Sequence, residues 1–531
     1  MQRLIGRRLQ RVFPVHTARG QVVRVAMSRL SALCEFLATN PYQKYIKAVE
    51  PFSFLSPVAT PNATDQPLFS IVIPFFNTAD KYLNPLFDCL RAQSFQDWEL
   101  IIADASTDET RADRIQELSG LDSRFHYVRL PGNLGISANT NEALKQARGQ
   151  FIVFVDHDDT ISPHALNEVA AVIADHRDVD VVYSDEDVLS DDGKRRMRPL
   201  FKPSWSVHML LEMNYVNHLS VIRAELIRRI GGFRPELDGA QDYDLLLRIH
   251  TLQELTVVHI PKVLYHWRKA ENSTLRTLDT KSYAVEAGRV ALRDYLDAIG
   301  VEHEGVSLLP DKPWWYHCHP RWSCRTDVIV MVSPDARTNR QFEKLLREAT
   351  TPRWVTPRFV SIPPSADVRE HCDASADAVV VIRSMFLPQD STWLDELVGV
   401  LALPQTAAVA PLLMGAVRDR VVDSGWVEFQ GQLRPLYPGA HTTGFPLAGP
   451  ADLVRDVDGL SDAVVAFRTQ ANHPELFVSG VVDGRHWRDN LVLWSPVRFL
   501  PAKVPFGDTR FNDNLVLNGA SVVLRKSTWK N

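Results

Sequence analysis

The sequence of 531 residues predicts an α/β protein built from two successive α/β modules. Three observations support this fold class. Between Leu68 and Gly300, short apolar runs alternate with helical patterns, which is typical of a largely parallel sheet. A weaker repeat of the same order begins near Asp327. Aspartates follow several of the apolar runs, at the points where buried strands are expected to end.

The bulk composition is that of a folded soluble protein, with 45% hydrophobic and 23% charged residues. A net charge of −5 and the lack of a basic stripe argue against nucleic acid as a partner. No apolar run reaches the ~18 residues that would cross a bilayer, and no secretory signal is evident. The five scattered cysteines form no CxxC pair. We therefore expect a cytoplasmic protein in a reducing compartment.

Residues 1–67 are predicted to form an N-terminal arm and a linker. The arm, residues 1–50, is rich in arginine and carries one apolar face at helical spacing. Such a basic amphipathic helix could lie on the inner face of an anionic membrane, or pack on the main domain with its arginines in water. The proline-rich stretch 51–67 then leads into the first module. The apolar face consists of Val23, Met27, Leu30, Cys34 and Leu37.

The first module, residues 68–300, reads as strands that alternate with helices. Ser162 and Pro163 are expected at the N-cap and first position of one helix. The predicted strands are FSIVIPFF, WELIIAD, FHYVRL, FIVFVD and VDVVYSD. The predicted helices are about 81–92, 110–118, a segment opened by NLGIS, PHALNEVAAVIADH, 223–232 and 243–252.

Residues 301–326 are predicted as a linker, and residues 327–531 as a degenerate second module. DVIVMVSPD, RFVSIPP and DAVVVIRS echo the first strands, and WLDELVGVLALP echoes the helix that follows the third of them. Arg383 and Met385 stand where the first copy has Asp156 and Asp158, so we expect this module to be catalytically silent. In the linker, WWYHCHPRWSC could form a metal clip, but a packed aromatic segment is the simpler interpretation.

The acidic residues after the strands indicate a ligand site, because ligands of open α/β sheets bind beyond the carboxyl ends of the strands. The segment IPFFNTADK contains no glycine, which excludes a Rossmann or Walker phosphate loop there. Asp156 and Asp158 are two residues apart, and VDHDDTISPH offers no lysine or arginine to neutralise them. Mg²⁺ or Mn²⁺ with a diphosphate would relieve their repulsion. Alternatively, these acids are solvated and Asp159 begins a helix.

Asp242 stands near the predicted start of the helix DYDLLLRI. It could cap that helix, or act as a general base that takes a proton from an attacking hydroxyl. Asp244 would project elsewhere from the helix and is the weaker candidate.

Taken in order, these motifs resemble family 2 glycosyltransferases of the GT-A fold, over about residues 69–275. The resemblance rests on SIVIPFFN, ADASTD, NLGISANTNEAL, the DxD motif at Asp156–Asp158 and GAQDYDLLLR. YSDEDV, FKPSWS, NYVNHLSVIR and IPKVLYHWRKAENST are similar to the bacterial branch that builds O-antigen and other surface polysaccharides. Ala103 replaces one acid of the usual DDGS box, and the arginine of the ARN box is absent from Ser137–Ala138–Asn139. No QxxRW motif follows Asp242.

The resemblance implies a GT-A nucleotide-sugar-binding domain with a helical arm and a degenerate GT-A-like module. It also implies a role for each matching residue. Pro74 and Phe76 would border the nucleotide, and Asp104 would bond its base. Asp156 would contact ribose or metal, Asp158 would bind the metal, and His266 would reach the metal or diphosphate unless it is a packed histidine. Asp242 would be the base, beside Gln241 where the family usually has glutamate. Asp185 and Glu186 could touch sugar or acceptor, or lie in a solvated loop.

The implied function is metal-dependent, inverting transfer of a sugar from a nucleoside-diphosphate donor to a glycan acceptor, which is usually lipid-linked in that branch. The arm would then hold the enzyme at the inner leaflet. Two alternatives belong to other classes of protein. One is a sugar nucleotidyltransferase, whose glycine-rich signature is missing here. The other is a non-catalytic scaffold for polysaccharide assembly.

Overall fold

The computed structural model describes residues 41–56, 58, 66–269, 282–309 and 315–414, followed by shorter stretches. Those stretches are 421–423, 426–429, 432–435, 455–457, 459–461, 463–469, 481–483 and 490–501. Most of the predicted basic arm therefore lies outside the described residues. Its last part forms helix α1 (Pro41–Ala48) and a 3-10 turn (Glu50–Phe52). No helix in the described ranges combines the length and apolar character that a membrane span requires.

The first module contains one mixed nine-stranded sheet. Its strands are β1 (Phe69–Phe75), β2 (Trp98–Asp104), β3 (Phe125–Arg129), β4 (Phe151–Phe154), β5 (Thr160–Ile161), β6 (Val181–Leu189), β7 (Arg196–Leu200), β8 (Ser220–Arg223) and β9 (Val257–Arg268). Their order is β3-β2-β1-β4-β8-β6-β9-β5, with β7 paired to β6. Strands β3, β2, β1 and β4 are parallel, whereas β8 runs antiparallel to both β4 and β6.

The central strands form because their apolar runs can be buried on both faces. All seven residues of β2 and all four of β4 are buried. The helices of this module lie between the strands or after them along the chain. They are α2 (Asp80–Arg91), α3 (Glu109–Ser119), α4 (Ile136–Leu144), α5 (Ala165–Asp175), α6 (Val207–Leu210), α7 (Ala224–Arg229), α8 (Gln241–His250) and α9 (Ser282–Ala298).

Three helix boundaries differ from the sequence prediction. Helix α5 begins at Ala165, and His164 is its N-cap residue. Ser162 lies before the helix in a turn, in which the Ser162 carbonyl accepts from the backbone N–H of Ala165. The predicted helix 223–232 is shorter, since β8 continues to Arg223. Helix α8 begins at Gln241, two residues before the predicted start, which places Asp242 in its first turn.

The second module repeats the sheet of the first. Its main sheet has the order β13-β12-β14-β22-β16-β24-β15, with β17 and β20 paired beside it. The strands after β9 are β10 (His303–Leu308), β11 (Tyr316–Pro320), β12 (Arg325–Val330), β13 (Thr356–Ser361), β14 (Ala378–Ile382), β15 (Phe386–Pro388), β16 (Thr406–Met414), β17 (Val421–Asp423), β18 (Trp426–Phe429), β19 (Gln432–Pro435), β20 (Arg455–Val457), β21 (Gly459–Ser461), β22 (Val464–Arg468), β23 (Val481–Asp483) and β24 (Asn490–Pro501). Strands β19, β18, β21 and β23 form a separate small sheet.

The correspondence extends to strand direction. In the order β2-β1-β4-β8-β6-β9-β5, the pairs are parallel, parallel, antiparallel, antiparallel, parallel and antiparallel. The pairs of the second sheet follow the same sequence of directions. The weak repeat seen in the sequence is therefore a repeat of topology. The described helices of this module are α10 (Ala336–Glu348) and α11 (Trp393–Gly399).

The two modules share one apolar core. A single cluster of buried side chains contains Leu247 from the first module and Val380 and Trp393 from the second. The segment predicted as a linker contributes to it, because β10 and β11 form an antiparallel hairpin whose Tyr316 and Cys318 are buried in that cluster. The connection between the modules is thus a packed structural element.

Candidate functional site

Polar side chains from β4, β8 and α8 meet at one edge of the first sheet. Strand β8 is antiparallel to β4, so the residues just before β8 lie beside the residues just after β4. The Nε2 atom of His218 is 3.8 Å from Oδ2 of Asp156. The neighbouring Asn217 donates from Nδ2 to Oδ2 of Asp242 at 3.3 Å. The DxD motif and the predicted base therefore line one acidic cleft.

Asp156 and Asp158 carry negative charge into this cleft. Burial in the cleft raises the pKa of both carboxyl groups, although the Asp156 side chain keeps 42% of its surface exposed. The charge of Asp156 raises the pKa of Asp158 further. Among the described residues, no lysine or arginine forms a salt bridge with either carboxylate. The pair therefore retains a charge that a cation could neutralise.

Asp159 fastens the same loop to strand β9. Its side chain is fully buried and accepts from the hydroxyl of Tyr265 at 2.6 Å and from the backbone N–H of Arg268 at 2.5 Å. The Arg268 guanidinium donates in turn to the carbonyl of Asp158 at 2.7 Å. Burial and the two neighbouring acids raise the pKa of Asp159 well above its usual range. Asp159 thus holds the loop and does not cap the following helix.

His266, on β9, is oriented by a buried carboxylate. Its Nδ1 atom lies 2.8 Å from Oδ1 of Asp187, which leaves Nε2 as the nitrogen for another partner. Asp187 also accepts from Nε of Arg196 at 2.6 Å and from the hydroxyl of Tyr42. Arg196 continues to Glu50, so the end of the N-terminal arm braces this histidine. A carboxylate behind an imidazole is the usual support of a metal-binding histidine.

The three predicted metal ligands do not lie close enough together in this structure to form a complete coordination site. The ligand atoms of Asp156, Asp158 and His266 do not form a group in which all lie within 4.8 Å of one another. Coordination of a metal by these three residues stays a prediction.

Asp242 occupies the first turn of α8, and Ala240, not Asp242, is the N-cap residue. Its Oδ2 accepts from the side-chain amides of Asn217 at 3.3 Å and Gln241 at 3.2 Å. Burial, followed by the charge of Asp156, raises the pKa of Asp242 to about 7. A carboxylate with a pKa near neutrality is well matched to general-base catalysis.

Asp244, two residues further along α8, is a structural residue. It is 1% exposed, and it accepts from Nε of Arg234 at 3.0 Å and from Nε of Arg248 at 2.8 Å. We expect Asp244→Asn to lower the free energy of unfolding by roughly 2–4 kcal/mol, because two arginines lose their partly buried counter-charge. Urea denaturation followed by circular dichroism measures this change. A variant as stable as the wild type would contradict the assignment.

The predicted nucleotide residues lie at the ends of β1 and β2. Phe76 is 41% exposed, and Pro74 is half-buried beside it. Asp104 is fully buried and accepts from the hydroxyl of Tyr127 at 2.8 Å, from Nη1 of Arg129 at 3.1 Å and from the backbone N–H of Ser106 at 2.9 Å. In this structure its oxygens are engaged within the protein. A contact between Asp104 and a base stays a prediction.

Asp185 and Glu186 lie within strand β6 and not in a solvated loop. Asp185 is 2% exposed and is bonded to the backbone N–H of Lys202 and to His259, each at 2.8 Å. Glu186 accepts from the buried ammonium of Lys202 at 3.2 Å and from the backbone N–H of His218. Both carboxylates therefore support the cleft wall in this state. A contact of Asp185 or Glu186 with sugar or acceptor stays a prediction.

Asn217 and His218 belong to the segment NYVNHLSVIR, and the sequence alone predicts no role for them in the cleft. His218 stacks on Tyr265, with ring centroids 4.7 Å apart, and burial lowers the pKa of its imidazole to about 4. The sequence feature that could have indicated their role is their position just before the apolar run that forms β8. If that run is antiparallel to the central strands, its start lies at the ligand edge.

Comparisons with known proteins identify the family of the first module. The model of the family "Glycosyl transferase family 2" matches residues 70–231. The chain is 40% identical over 232 residues to the uncharacterized protein y4gI of Sinorhizobium fredii. This alignment covers 43% of this chain and 25% of y4gI. The chain is also 31% identical over 402 residues to the O-antigen biosynthesis protein RfbC of Myxococcus xanthus. This alignment covers 69% of this chain and 31% of RfbC.

The RfbC alignment covers 69% of the chain, which is more than residues 1–326 contain, so the similarity reaches into the second module. Among solved structures, S. aureus TarS 1-349 in complex with UDP-GlcNAc is 24% identical, with a TM-score of 0.36, over 44% of this chain and 66% of that one. The chain spans about a quarter to a third of the length of y4gI and RfbC. The resemblance inferred from the motifs is confirmed, and the first module carries a domain of glycosyltransferase family 2.

Proposed function

We propose that the protein is an inverting glycosyltransferase that moves a sugar from a nucleoside-diphosphate donor to a hydroxyl of a glycan, in the assembly of bacterial surface polysaccharide of the O-antigen type. The family 2 domain supports the reaction class, and the similarity to RfbC supports the pathway. The observation that carries the proposal is the position of Asp242. Its carboxyl group, with a pKa of about 7, shares a cleft with Asp156.

In the proposed reaction, Asp242 removes the proton from the acceptor hydroxyl as its oxygen attacks the anomeric carbon. The bond to the diphosphate breaks on the opposite side, so the configuration at that carbon inverts. The amides of Asn217 and Gln241 orient the Asp242 carboxylate. Because burial and the nearby Asp156 charge favour the neutral acid, Asp242 can hold the proton until the product leaves.

We propose Mg²⁺ or Mn²⁺ as the cofactor, held by Asp156, Asp158 and His266. The donor set fits such an ion, since no lysine or arginine in the described part of the chain forms a salt bridge with Asp156 or Asp158, and Asp187 orients His266. The incomplete gathering of the three ligands is compatible with Mg²⁺, which typically takes one or two protein carboxylates together with phosphate oxygens and water. When bound, the ion would stabilise the negative charge of the departing diphosphate.

On the donor side, we propose that Pro74 and Phe76 border the nucleotide and that Asp104 reaches its base. The exposed ring of Phe76 supports a stacking role at the end of β1. Tyr127 and Arg129, which donate hydrogen bonds to the Asp104 carboxylate, would hold it in position. Asp185 and Glu186 would help to bind the sugar or acceptor, because they hold Lys202 and the His218 backbone in the wall of the cleft.

We propose that the second module is catalytically silent. Strand β14 is the counterpart of β4, and Arg383 lies five residues after the first residue of β14, as Asp156 lies five residues after the first residue of β4. A basic residue in that place is unsuited to holding a divalent cation.

The acceptor is proposed to be lipid-linked, with residues 1–40 in contact with the inner face of the membrane. The described structure indicates where to truncate the chain, because Tyr42 and Glu50 brace Asp187 through Arg196 and should be retained. We expect deletion of residues 1–40 to abolish flotation with anionic liposomes and to leave donor hydrolysis unchanged. Unchanged flotation would refute the membrane role of the arm.

The reaction class is tested by incubating the full chain with a panel of nucleoside-diphosphate sugars and Mn²⁺. A glycosyltransferase should release nucleoside diphosphate slowly, through hydrolysis of its own donor. A sugar nucleotidyltransferase would instead consume sugar phosphate with nucleoside triphosphate and release pyrophosphate. No turnover with any donor, together with no nucleotide binding, would favour the scaffold alternative and contradict the proposal.

A further inference from the structure

A second cluster of metal-ligating side chains lies far along the chain from the cleft, where the β10–β11 hairpin meets helix α11. Strand β11 carries His317 and His319, which share one face because side chains alternate along a strand. Cys318 points to the opposite face, where it is buried with its thiol near the carbonyl of Leu211. The cysteine is therefore excluded as a ligand on geometric grounds.

Glu396, on α11 of the second module, reaches both histidines. One carboxylate oxygen lies 3.0 Å from Nε2 of His317, and the other lies 2.8 Å from Nδ1 of His319. The two imidazole rings are adjacent, with centroids 4.1 Å apart. Within the parts of the chain that the structure describes, this is the one group of three such residues whose ligand atoms all lie within 4.8 Å of one another.

We propose that His317, His319 and Glu396 form a Zn²⁺ site that ties the hairpin to the second module. Two imidazole nitrogens and one carboxylate oxygen are a common protein ligand set for zinc. In a tetrahedral site with bonds of about 2.0–2.1 Å, neighbouring ligand atoms lie about 3.3 Å apart. Each imidazole nitrogen lies within a few tenths of an ångström of that separation from one of the two Glu396 oxygens, at 3.0 Å for His317 and 2.8 Å for His319.

The surroundings supply what such a site requires. Ser307, on β10, places its hydroxyl oxygen 2.8 Å from Nε2 of His319. That contact occupies the second ring nitrogen and directs Nδ1 toward Glu396, as outer-sphere partners of metal-binding histidines commonly do. The side chains of His317, His319 and Glu396 are 15%, 25% and 19% exposed. Water can therefore complete the fourth position of the ion.

The role of the ion would be structural. Helix α11 has a largely buried first turn, with Trp393 and Leu394 in the shared core, and β11 contributes Tyr316 to the same core. A zinc ion at Glu396 would fix these two elements against each other at the solvent-facing side of that junction. None of the residues of the acidic cleft takes part, so this site is independent of the proposed catalytic metal.

The test is metal uptake by the full-length chain after treatment with a chelator. Calorimetric titration with Zn²⁺ should show one tight equivalent, and Co²⁺ at the same site should give the intense visible absorption of a four-coordinate ion. Glu396→Gln, His317→Gln and His319→Gln should each weaken Zn²⁺ binding by roughly 100-fold or more. Ser307→Ala should weaken it by about 10-fold.

Two variants serve as controls. His303→Gln removes another histidine that contacts a carboxylate, Asp297 at 3.1 Å, but that histidine belongs to no group of three. It should bind Zn²⁺ like the wild type, and so should Asp158→Ala in the cleft. Absence of Zn²⁺ uptake by the wild type, or equal uptake by Glu396→Gln and His303→Gln, would overturn the proposal. The Co²⁺ spectrum of the wild type does not depend on the folding of any variant, and a spectrum of six-coordinate Co²⁺ only would also overturn it.

Discussion

Asp242→Asn is expected to lower kcat by ~10²–10⁴-fold, the usual contribution of a general base. The amide is nearly isosteric but cannot accept the proton of the acceptor hydroxyl. Donor binding should persist, because the side chain faces Asp156 from across the cleft and is not among the proposed nucleotide contacts. Product formation at saturating donor and calorimetric affinity for nucleoside diphosphate measure the two quantities. A variant that turns over at the wild-type rate would defeat the assignment of Asp242 as base.

The pH dependence gives an independent check on Asp242. Burial and the Asp156 charge raise its pKa to about 7, and the base works only when deprotonated. For the wild type, kcat/KM should therefore rise as the pH rises through about 7 and level off above it. This limb should be missing from the residual activity of Asp242→Asn. A flat wild-type profile between pH 6 and 8 would contradict the role.

Stability provides the control for folding. The pKa of Asp242 is raised above that of an unfolded chain, about 3.9, so folding favours its neutral form. Ionisation of Asp242 therefore lowers the free energy of unfolding as the pH rises from about 4 to about 7. Asp242→Asn removes that cost and should melt no lower than the wild type at pH 8. Asp244→Asn, on the same helix, should melt lower, which separates a catalytic defect from an unfolded protein.

Asp158→Ala is expected to remove the metal-dependent part of donor affinity. In the wild type, we expect Mn²⁺ to tighten nucleoside-diphosphate binding by roughly 100-fold, or about 3 kcal/mol, because a bound ion would supply positive charge that attracts the diphosphate. Without the Asp158 carboxylate, affinities measured with Mn²⁺ and with a chelator should converge. Calorimetry under both conditions measures this difference.

The matched control for Asp158 is Asp113→Ala, which removes an exposed aspartate from helix α3. It should retain the full effect of Mn²⁺, since it lies outside the acidic cleft. Retention of the effect by Asp158→Ala as well would show that the DxD motif does not hold the metal. Zn²⁺ binding at His317, His319 and Glu396 should be unaffected in either variant.

Much of the first module follows from local patterns in the sequence. Apolar runs such as WELIIAD become strands because their residues are buried on both faces, and that requirement is visible without a structure. The family and the position of the DxD motif are also readable, because each motif is a short contiguous segment. The predicted start of α8 is two residues too late, because Gln241 and Asp242 are polar and add nothing to the apolar periodicity from which the helix is predicted.

The remaining features depend on residues that are distant in sequence. The contact of Asn217 with Asp242 follows from the antiparallel direction of β8, and strand direction is set by the topology of the whole sheet. The near-neutral pKa of Asp242 follows from burial and from the charge of Asp156, which is far away in the chain.

The same reason explains the buried brace behind His266 and the proposed zinc site. Tyr42 reaches Asp187 across 145 positions of the chain, and Glu396 reaches His317 across 79. Composition and periodicity report which segments form strands, helices and motifs. They do not report which of those segments become neighbours, because that depends on how strands pair across the sheet and how the two modules pack on one core.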